Sequence, residues 1–475
     1  RNSLAAALSV LLVTGSAGWG VTATLSAGAI AHERNAALSA ADREQRGKSV
    51  LLELFRRANL LEADSLGLEP AAAAAMLEQT LASARSSLTD DKLLLADLVN
   101  WTARAHLHAG NLARAKARAR EEIALLHEHG AHGTLRDGAA HAFLANVLAK
   151  VGESQTATDE AKVALSALGS EDPAHILAAD ILVAVAWSRE GDWAAQRQLF
   201  ERALAIVTAI DAPMALIEIE SGLGRALVGL DELDQARPHI ERAIELVRAR
   251  YGDRHPRLAL PLSDLGRLEE RAGNAPAAIT AHRDALALSE AAFGPSHSST
   301  LAHRNNLALA LSAAGNGDAS IAEYQRLLKA HKDGLARGEV AQNLAASLVQ
   351  ARRYAQAEEP LSIAEREFAV HLPKDHPRRV FPALTRSEMR LAQHRYREAE
   401  ADARTALALL ERAMPEGHFA TAAARCRIGI ALAAQGRRKE ADAFLSTAMT
   451  ALSKAGEGIP ARIVTPCRNA LARLP

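Results

Sequence analysis

Aromatic residues make up only 3% of this 475-residue chain, eight Phe, four Trp and four Tyr, so the sequence does not encode one large core filled by rings. Cysteine is scarcer still. Two residues, Cys426 and Cys467, exclude a disulfide-dense fold and a multi-cysteine zinc site. Charge of one sign is also missing: 56 Lys and Arg balance 56 Asp and Glu, so there is no bulk basic excess of the kind that nucleic-acid binding needs, and no nucleic-acid partner is expected. A basic groove confined to one face remains compatible with that balance.

Small apolar residues are abundant instead, and they recur in phase. Between Leu258 and Ala285 two amphipathic segments flank a Gly273-Asn274 turn, the first carrying Leu265 and Gly266, the second Ala278 and Ala285. With Ala278 as a marker, equivalent positions are Ala115, Ala157, Gln196, Ala236, Ser320, Ala357, Ala399 and Ala441, at intervals of 42, 39, 40, 42, 42, 37, 42 and 42 residues. Twelve residues before each marker stand Ala103, Ala145, Ala184, Gly224, Gly266, Ala308, Ala345, Ser387 and Gly429. Seven residues after it, Ala returns as Ala164, Ala203, Ala243, Ala285, Ala364, Ala406 and Ala448. Such a period marks a repeated helix pair that buries its apolar stripe against the next pair, with Gly or Ala where the backbones approach to about 8–10 Å. Cys426 and Cys467 stand almost one period apart, in successive layers, and are expected as two packed thiols out of disulfide reach.

This pattern resembles the tetratricopeptide repeat, and its period resembles the longer variety found in kinesin light chains, over roughly Asp90 to Leu452. The resemblance implies an all-α tetratricopeptide repeat solenoid, a right-handed superhelix of helix hairpins. It would comprise about nine repeats over residues 91–455, juxtamembrane helices and an irregular cap over 34–90, and a capping tail over 456–475. It also implies a non-catalytic scaffold that binds a protein or peptide in a concave groove lined by the first helix of each pair.

From Asn2 to Ala31 no residue is charged. That exceeds the roughly 20 residues a helix needs to cross a bilayer, so residues 1–33 are expected to form a transmembrane helix, with 3–31 in the membrane. A signal peptide ending at Ala29-Ile30-Ala31 is the competing reading. Ser16, Gly20, Thr24 and Gly28 share one face, and small residues so spaced would permit a homodimer. The order of span, charged segment, LLELFRRANL, a helix ending LASARSSL, and then the repeats is similar to the C-terminal half of bacterial membrane-bound serine/threonine protein kinases. That resemblance implies a single-pass protein of the bacterial inner membrane with its repeats in the periplasm. A membrane-anchored winged-helix transcriptional regulator or a secreted periplasmic adaptor would carry a similar tail.

No catalytic residue and no cofactor are expected. His282-Arg283-Asp284 imitates the H-R-D of a kinase catalytic loop, yet it falls within a repeat helix, with Ser289 where an Asn is required. Gly47-Lys48-Ser49 imitates the end of a P-loop, but Asp42 stands where the first Gly belongs. His255, His297, His376 and His418 each precede a marker by 23 residues; a layer apart, they cannot converge on one ion, and they are expected to shape the turn into each first helix, where Pro is tolerated. His127, His129 and His132, with His106 and His108 before them, are closer together. No Cys accompanies them, and Gly130 and Gly133 mark a helix end where the dipole favours His, so no metal site is expected there.

Counting from the markers places Arg104, Asn146, Ser221, Arg225, Asp264, Arg267, Asn305, Asn306, Gln342 and Asn343 on the first-helix surface as the expected peptide-binding set, with Ser263, Glu388 and Arg427 beside them. Arg225 and Arg267 occupy equivalent places one repeat apart. An Arg fork can grip a carboxylate through two hydrogen bonds, and Asn can both donate to and accept from an extended backbone.

Overall fold

The computed structural model describes residues 70–88, 92–169, 176–189, 191–210, 213–414, 419–454 and 461–474. The expected membrane segment 3–31, the Gly47-Lys48-Ser49 run and His418 lie outside them. No described helix is long and apolar enough to cross a membrane. The described residues contain no strand. They divide between two compact units, one within 1–273 and 287–300, the other within 274–286 and 301–475.

Helix α1 (Pro70–Ser87) precedes α2 (Lys92–His108), α3 (Leu112–Glu128), α4 (Leu135–Val151), α5 (Ser154–Ser166), α6 (Ile176–Ser188) and α7 (Trp193–Ile210). Then come α8 (Pro213–Gly229), α9 (Leu233–Tyr251), α10 (Ala259–Arg271), α11 (Ala275–Phe293), α12 (Ser298–Ala313) and α13 (Gly317–Ala330). The rest are α14 (Leu335–Gln350), α15 (Tyr354–His371), α16 (Phe381–Ala392), α17 (Tyr396–Ala413), α18 (Phe419–Ala434), α19 (Arg438–Lys454) and α20 (Ala461–Ala472). Even-numbered helices from α2 to α18 are the first of a pair, odd-numbered ones the second.

The spacing of small residues explains the packing. Every marker is buried: in the first unit Ala115, Ala157, Gln196 and Ala236, in the second Ala278, Ser320, Ala357, Ala399 and Ala441, none more than 2% exposed. In the first unit a Cβ on Gly224 would stand 2.5 Å from Ile240 Cγ1, and in the second one on Gly429 would stand 2.6 Å from Leu445 Cγ. Gly in a helix interior costs roughly 0.5–1 kcal/mol against Ala; close approach of the paired helices outweighs that loss. The twelve-residue offset is directly visible in the second unit, where Ser320 Oγ donates to the Ala308 carbonyl (2.9 Å) and Ser387 Oγ to the Ala399 carbonyl (2.8 Å). Ala184 is the exception, only half-buried. Its marker is Gln196, whose amide donates to the Arg189 carbonyl (2.9 Å).

Seven turns within pairs reverse the chain in one way. The N–H of Asn111 reaches back to the His106 carbonyl (2.8 Å) and that of Arg353 to the Leu348 carbonyl (2.8 Å), the six-to-one bond of a Schellman motif, which satisfies a carbonyl left over at the helix end. The turns into first helices use histidine as expected. Nδ1 of His255, His297 and His376 accepts from the N–H two residues on, of Arg257, Ser299 and Arg378, at 3.2 Å in each case.

At the start, Ala73, Leu77 and Leu81 of α1 pack with Leu95 and Val99 of α2. At the end, α20 lies against α18 and α19, so Cys426 and Cys467 share one cluster with Leu445 and Leu452. The two thiols are free and buried as expected, but they are not held apart as expected: α20 packs on both helices of the last pair and brings Cys467 against Cys426. Contact with Cys467 first, and burial second, push the Cys426 thiol up and away from a reactive thiolate.

Candidate peptide-binding face

In the first unit the relevant face is made by first helices, with Trp193 added from the start of α7. Gly229, at the end of α8, leaves room for the Trp193 indole; a Cβ there would stand 2.3 Å from Trp193 Cδ2. The Arg267 guanidinium of α10 lies over that ring, 6.0 Å from its centroid. Arg225 of α8 lies 4.9 Å over Trp187, whose ring meets Phe200 edge-on at 5.1 Å and whose Nε1–H donates to Glu218 (2.9 Å). Cations over indole faces are held by the ring quadrupole, at about 0.5–1 kcal/mol in exposed places.

The two arginines are not equivalent in what they can offer. Arg225 Nε and Nη2 donate to the two oxygens of Asp264 (2.8 and 3.1 Å), and Ser221 Oγ donates to Asp264 Oδ2 (3.1 Å). Asp264 is 1% exposed. Ser221, Arg225 and Asp264 therefore form a closed knot that ties α8 to α10, and the Arg225 fork grips a carboxylate of its own chain. Arg267 is half-buried and makes no hydrogen bond or ion pair with an acid among the described residues. Burial is the main cause that holds its pKa below the ordinary arginine value, with Arg225 acting in the same direction and Asp264 against it.

A second basic cluster surrounds the end of α2. Arg104 donates from Nε to Asn100 Oδ1 (2.8 Å) and lies 5.0 Å over the Phe143 ring. His108 reaches solvent; desolvation first, then Arg104, Arg257, Lys150 and His297, hold its pKa below the ordinary histidine value. Nε2 of His297 lies 3.0 Å from the His108 carbonyl. Arg257 stacks at 5.4 Å over Tyr251 and has no acidic partner among the described residues.

Of the ten expected residues, the structure brings together Ser221, Arg225, Asp264 and Arg267. Arg104 on α2 and Asn146 on α4 share that unit, and the Asn146 Oδ1 is buried without a partner. Asn305, Asn306, Gln342 and Asn343 belong to the second unit, all half-buried. There Gln342 Nε2 donates to Thr385 Oγ1 (2.7 Å), and Arg427 pairs with Glu388 at 2.9 Å. Trp187, Trp193, Arg257 and His108 were not among the expected residues. The signal available for the first two was the close spacing of two of only four tryptophans.

His282 is fully buried in α11 while Arg283 and Asp284 point to solvent. A recess of ≈ 510 Å³ lined by Ser446, Met449, Thr450, Ser453 and Leu471 holds no charged side chain.

Residues 215–291, from α8 through most of α11, match the tetratricopeptide repeat family. Comparison with curated proteins gives no match. Among solved structures, kinesin light chain TPR-like repeats of Podosopora anserina are 20% identical, covering 43% of this chain and 99% of that one at a TM-score of 0.37. A Rap protein complexed with competence and sporulation factor is 16% identical, covering 83% and 99% at 0.48. The apo form of RapI is 9% identical, covering 77% and 99% at 0.54; that likeness shows the fold alone. The described chain thus has an all-helical repeat fold, with a tetratricopeptide repeat match over residues 215–291.

Proposed function

We propose that the first unit binds an acidic, extended peptide along the first helices α2, α4, α6, α8 and α10. The observation that carries this reading is Arg267: a half-buried cation over an indole, with no acid bound to it among the described residues, beside an Asp264 already gripped by Arg225. A charge held partly out of water is costly without a counter-ion, and a peptide carboxylate would supply one through two hydrogen bonds. Arg104, Arg257 and Lys150 add positive charge to the same unit. Asn146 offers a backbone contact there, and Asn305, Asn306, Gln342 and Asn343 offer the same in the second unit.

The test is fluorescence anisotropy with a labelled twelve-residue Glu/Asp-rich peptide and a Lys-rich counterpart. Arg267→Ala is expected to weaken acidic-peptide binding about tenfold or more, since a charge-assisted pair contributes about 1.5–3 kcal/mol, while the unfolding midpoint barely moves. Arg225→Ala strands the buried Asp264 and is expected to lower stability by about 3–5 kcal/mol. Unchanged affinity in Arg267→Ala, or tighter binding of the Lys-rich peptide, would overturn the reading.

The wider setting is proposed from the sequence: residues 1–33 as a membrane anchor that permits a homodimer, 34–90 as a juxtamembrane cap, 91–455 as the repeats and 456–475 as a capping tail. In this reading the chain is the extracytoplasmic sensor part of a serine/threonine kinase of the bacterial inner membrane, with its repeats in the periplasm. A reporter that works only in the periplasm, fused after Pro475, is then expected to be active; activity only from a cytoplasm-dependent reporter rejects that orientation.

A further inference from the structure

Between the first two hairpins of the first unit lies a side-chain cluster that the peptide face does not use. The last turn of α3 presents His127, and α4 starts at Thr134, whose Oγ1 accepts from the Asp137 N–H (3.3 Å). Asp137 Oδ2 accepts in return from the Gly133 N–H (2.8 Å). One carboxylate oxygen is therefore spent on closing the helix start. The other, Oδ1, lies 2.9 Å from His127 Nε2 and 3.6 Å from His141 Nε2, one turn along α4. The three ligand atoms all lie within 4.8 Å of one another.

His141 is aimed by the repeat itself. Its Nδ1 meets Glu160 Oε2 of α5 at 2.5 Å. Two other hairpins use the same nineteen-residue spacing, with His239 on Glu220 and Arg304 on Glu323, each at 2.6 Å. In the tautomer whose Nδ1–H donates to Glu160, the Nε2 of His141 is a bare lone pair. That nitrogen is buried without a hydrogen-bond partner, on a residue 9% exposed, facing a carboxylate that is 1% exposed. A lone pair and a carboxylate oxygen out of water repel each other. A cation between them turns that repulsion into ligation, and a histidine whose second nitrogen is fixed by a carboxylate is the common outer-shell arrangement of metal sites.

We propose that His127, Asp137 and His141 bind a divalent transition-metal ion of the zinc class, with Glu160 fixing the ring of His141. Two imidazoles and one carboxylate suit zinc and its neighbours rather than calcium or magnesium, which take oxygen ligands. Ligand separations of 2.9 and 3.6 Å bracket the roughly 3.3 Å edge of a tetrahedron with bonds of about 2.0–2.1 Å. The solvent side is open: His132 stacks on His127 at 4.2 Å, and its Nδ1 lies 3.5 Å from Asp137 Oδ2. Water or a rotated His132 would complete the shell. Bound there, the ion cross-links α3 to α4 and stiffens the junction between two hairpins.

The test is a titration of the tag-free full chain with zinc chloride against a fluorescent chelator, with thermal unfolding followed in parallel. Wild type is expected to take one tight equivalent and to melt higher with zinc. His127→Gln, which alters only a half-exposed side chain at a helix end, and His141→Ala are each expected to weaken that equivalent about 100-fold and abolish the melting shift. Glu160→Gln is expected to weaken it about 10–100-fold. Helical content is checked by circular dichroism for every variant. Zinc binding by wild type no tighter than by well-folded His127→Gln, or a tight equivalent that survives both histidine substitutions, would overturn the site.

Discussion

Glu122 stands seven residues after the marker Ala115, where seven other repeats carry Ala. That position faces the packed side of the second helix, so Glu122 is only 6% exposed, and burial pushes its carboxyl up to about 7 against the Asn100 Nδ2 that donates to it at 2.7 Å. The folded state therefore holds a proton that the unfolded state, with an ordinary carboxyl near 4.5, has already released. Between those values the folded chain binds more protons than the unfolded one, so this group's contribution to stability falls as pH rises and levels off above about 7. Glu122→Gln, which keeps an acceptor for Asn100, is expected to flatten that slope and to raise stability at pH 8 by up to about 3 kcal/mol. Urea unfolding at pH 5 and pH 8 checks it; parallel slopes for the two proteins contradict it. Burial at this scale was legible because it follows the period. Pairing was not: the sequence places Arg225 and Asp264 on one surface, but only rotamers and the rise between hairpins make one grip the other. The same limit hid Asp137 and His141 behind the more conspicuous histidines His127, His129 and His132.

At the scale of the element, the turn within each pair carries its own signature, five residues before the marker. Six repeats place Gly there: Gly110, Gly152, Gly191, Gly273, Gly315 and Gly436. The other three have Asp231, Arg352 and His394, forced into the same left-handed conformation at φ 65°, 58° and 62°. A side chain in that region costs about 1–2 kcal/mol, part of which Gly would return to the greater entropy of its unfolded chain. Arg352→Gly is expected to stabilise the protein by about 0.5–1 kcal/mol, measured from the urea midpoint; a lower midpoint contradicts the turn assignment. Helix lengths were legible in the intervals as well. The two shortest steps, Ala157 to Gln196 and Ser320 to Ala357, contain the 13-residue α5 and 14-residue α13, against 19 residues in α9 and α11. A capping helix after the last pair was legible; that it would set Cys467 against Cys426 was not, because the pattern has already stopped when that helix begins.

For the whole molecule, a net charge of zero conceals an uneven distribution. Among the described residues several acids pair with cations of a neighbouring hairpin, as in Lys116 with Glu153 (2.7 Å), Arg197 with Glu232 (2.9 Å) and Arg437 with Glu400 (3.1 Å). Arg257 and Arg267 of the first unit are left with no acid bound to them among the described residues. Repeats of this kind bury a continuous core between neighbours and leave their first-helix face free for a ligand. The central claim is that this face, and not the second helices, receives an acidic peptide. Amide hydrogen exchange on the full chain, with and without a saturating Glu/Asp-rich peptide, tests it most directly. Exchange is predicted to slow in Pro213–Gly229 and Ala259–Arg271 and to stay unchanged in Leu233–Tyr251; slowing confined to Leu233–Tyr251 and the other second helices would contradict it.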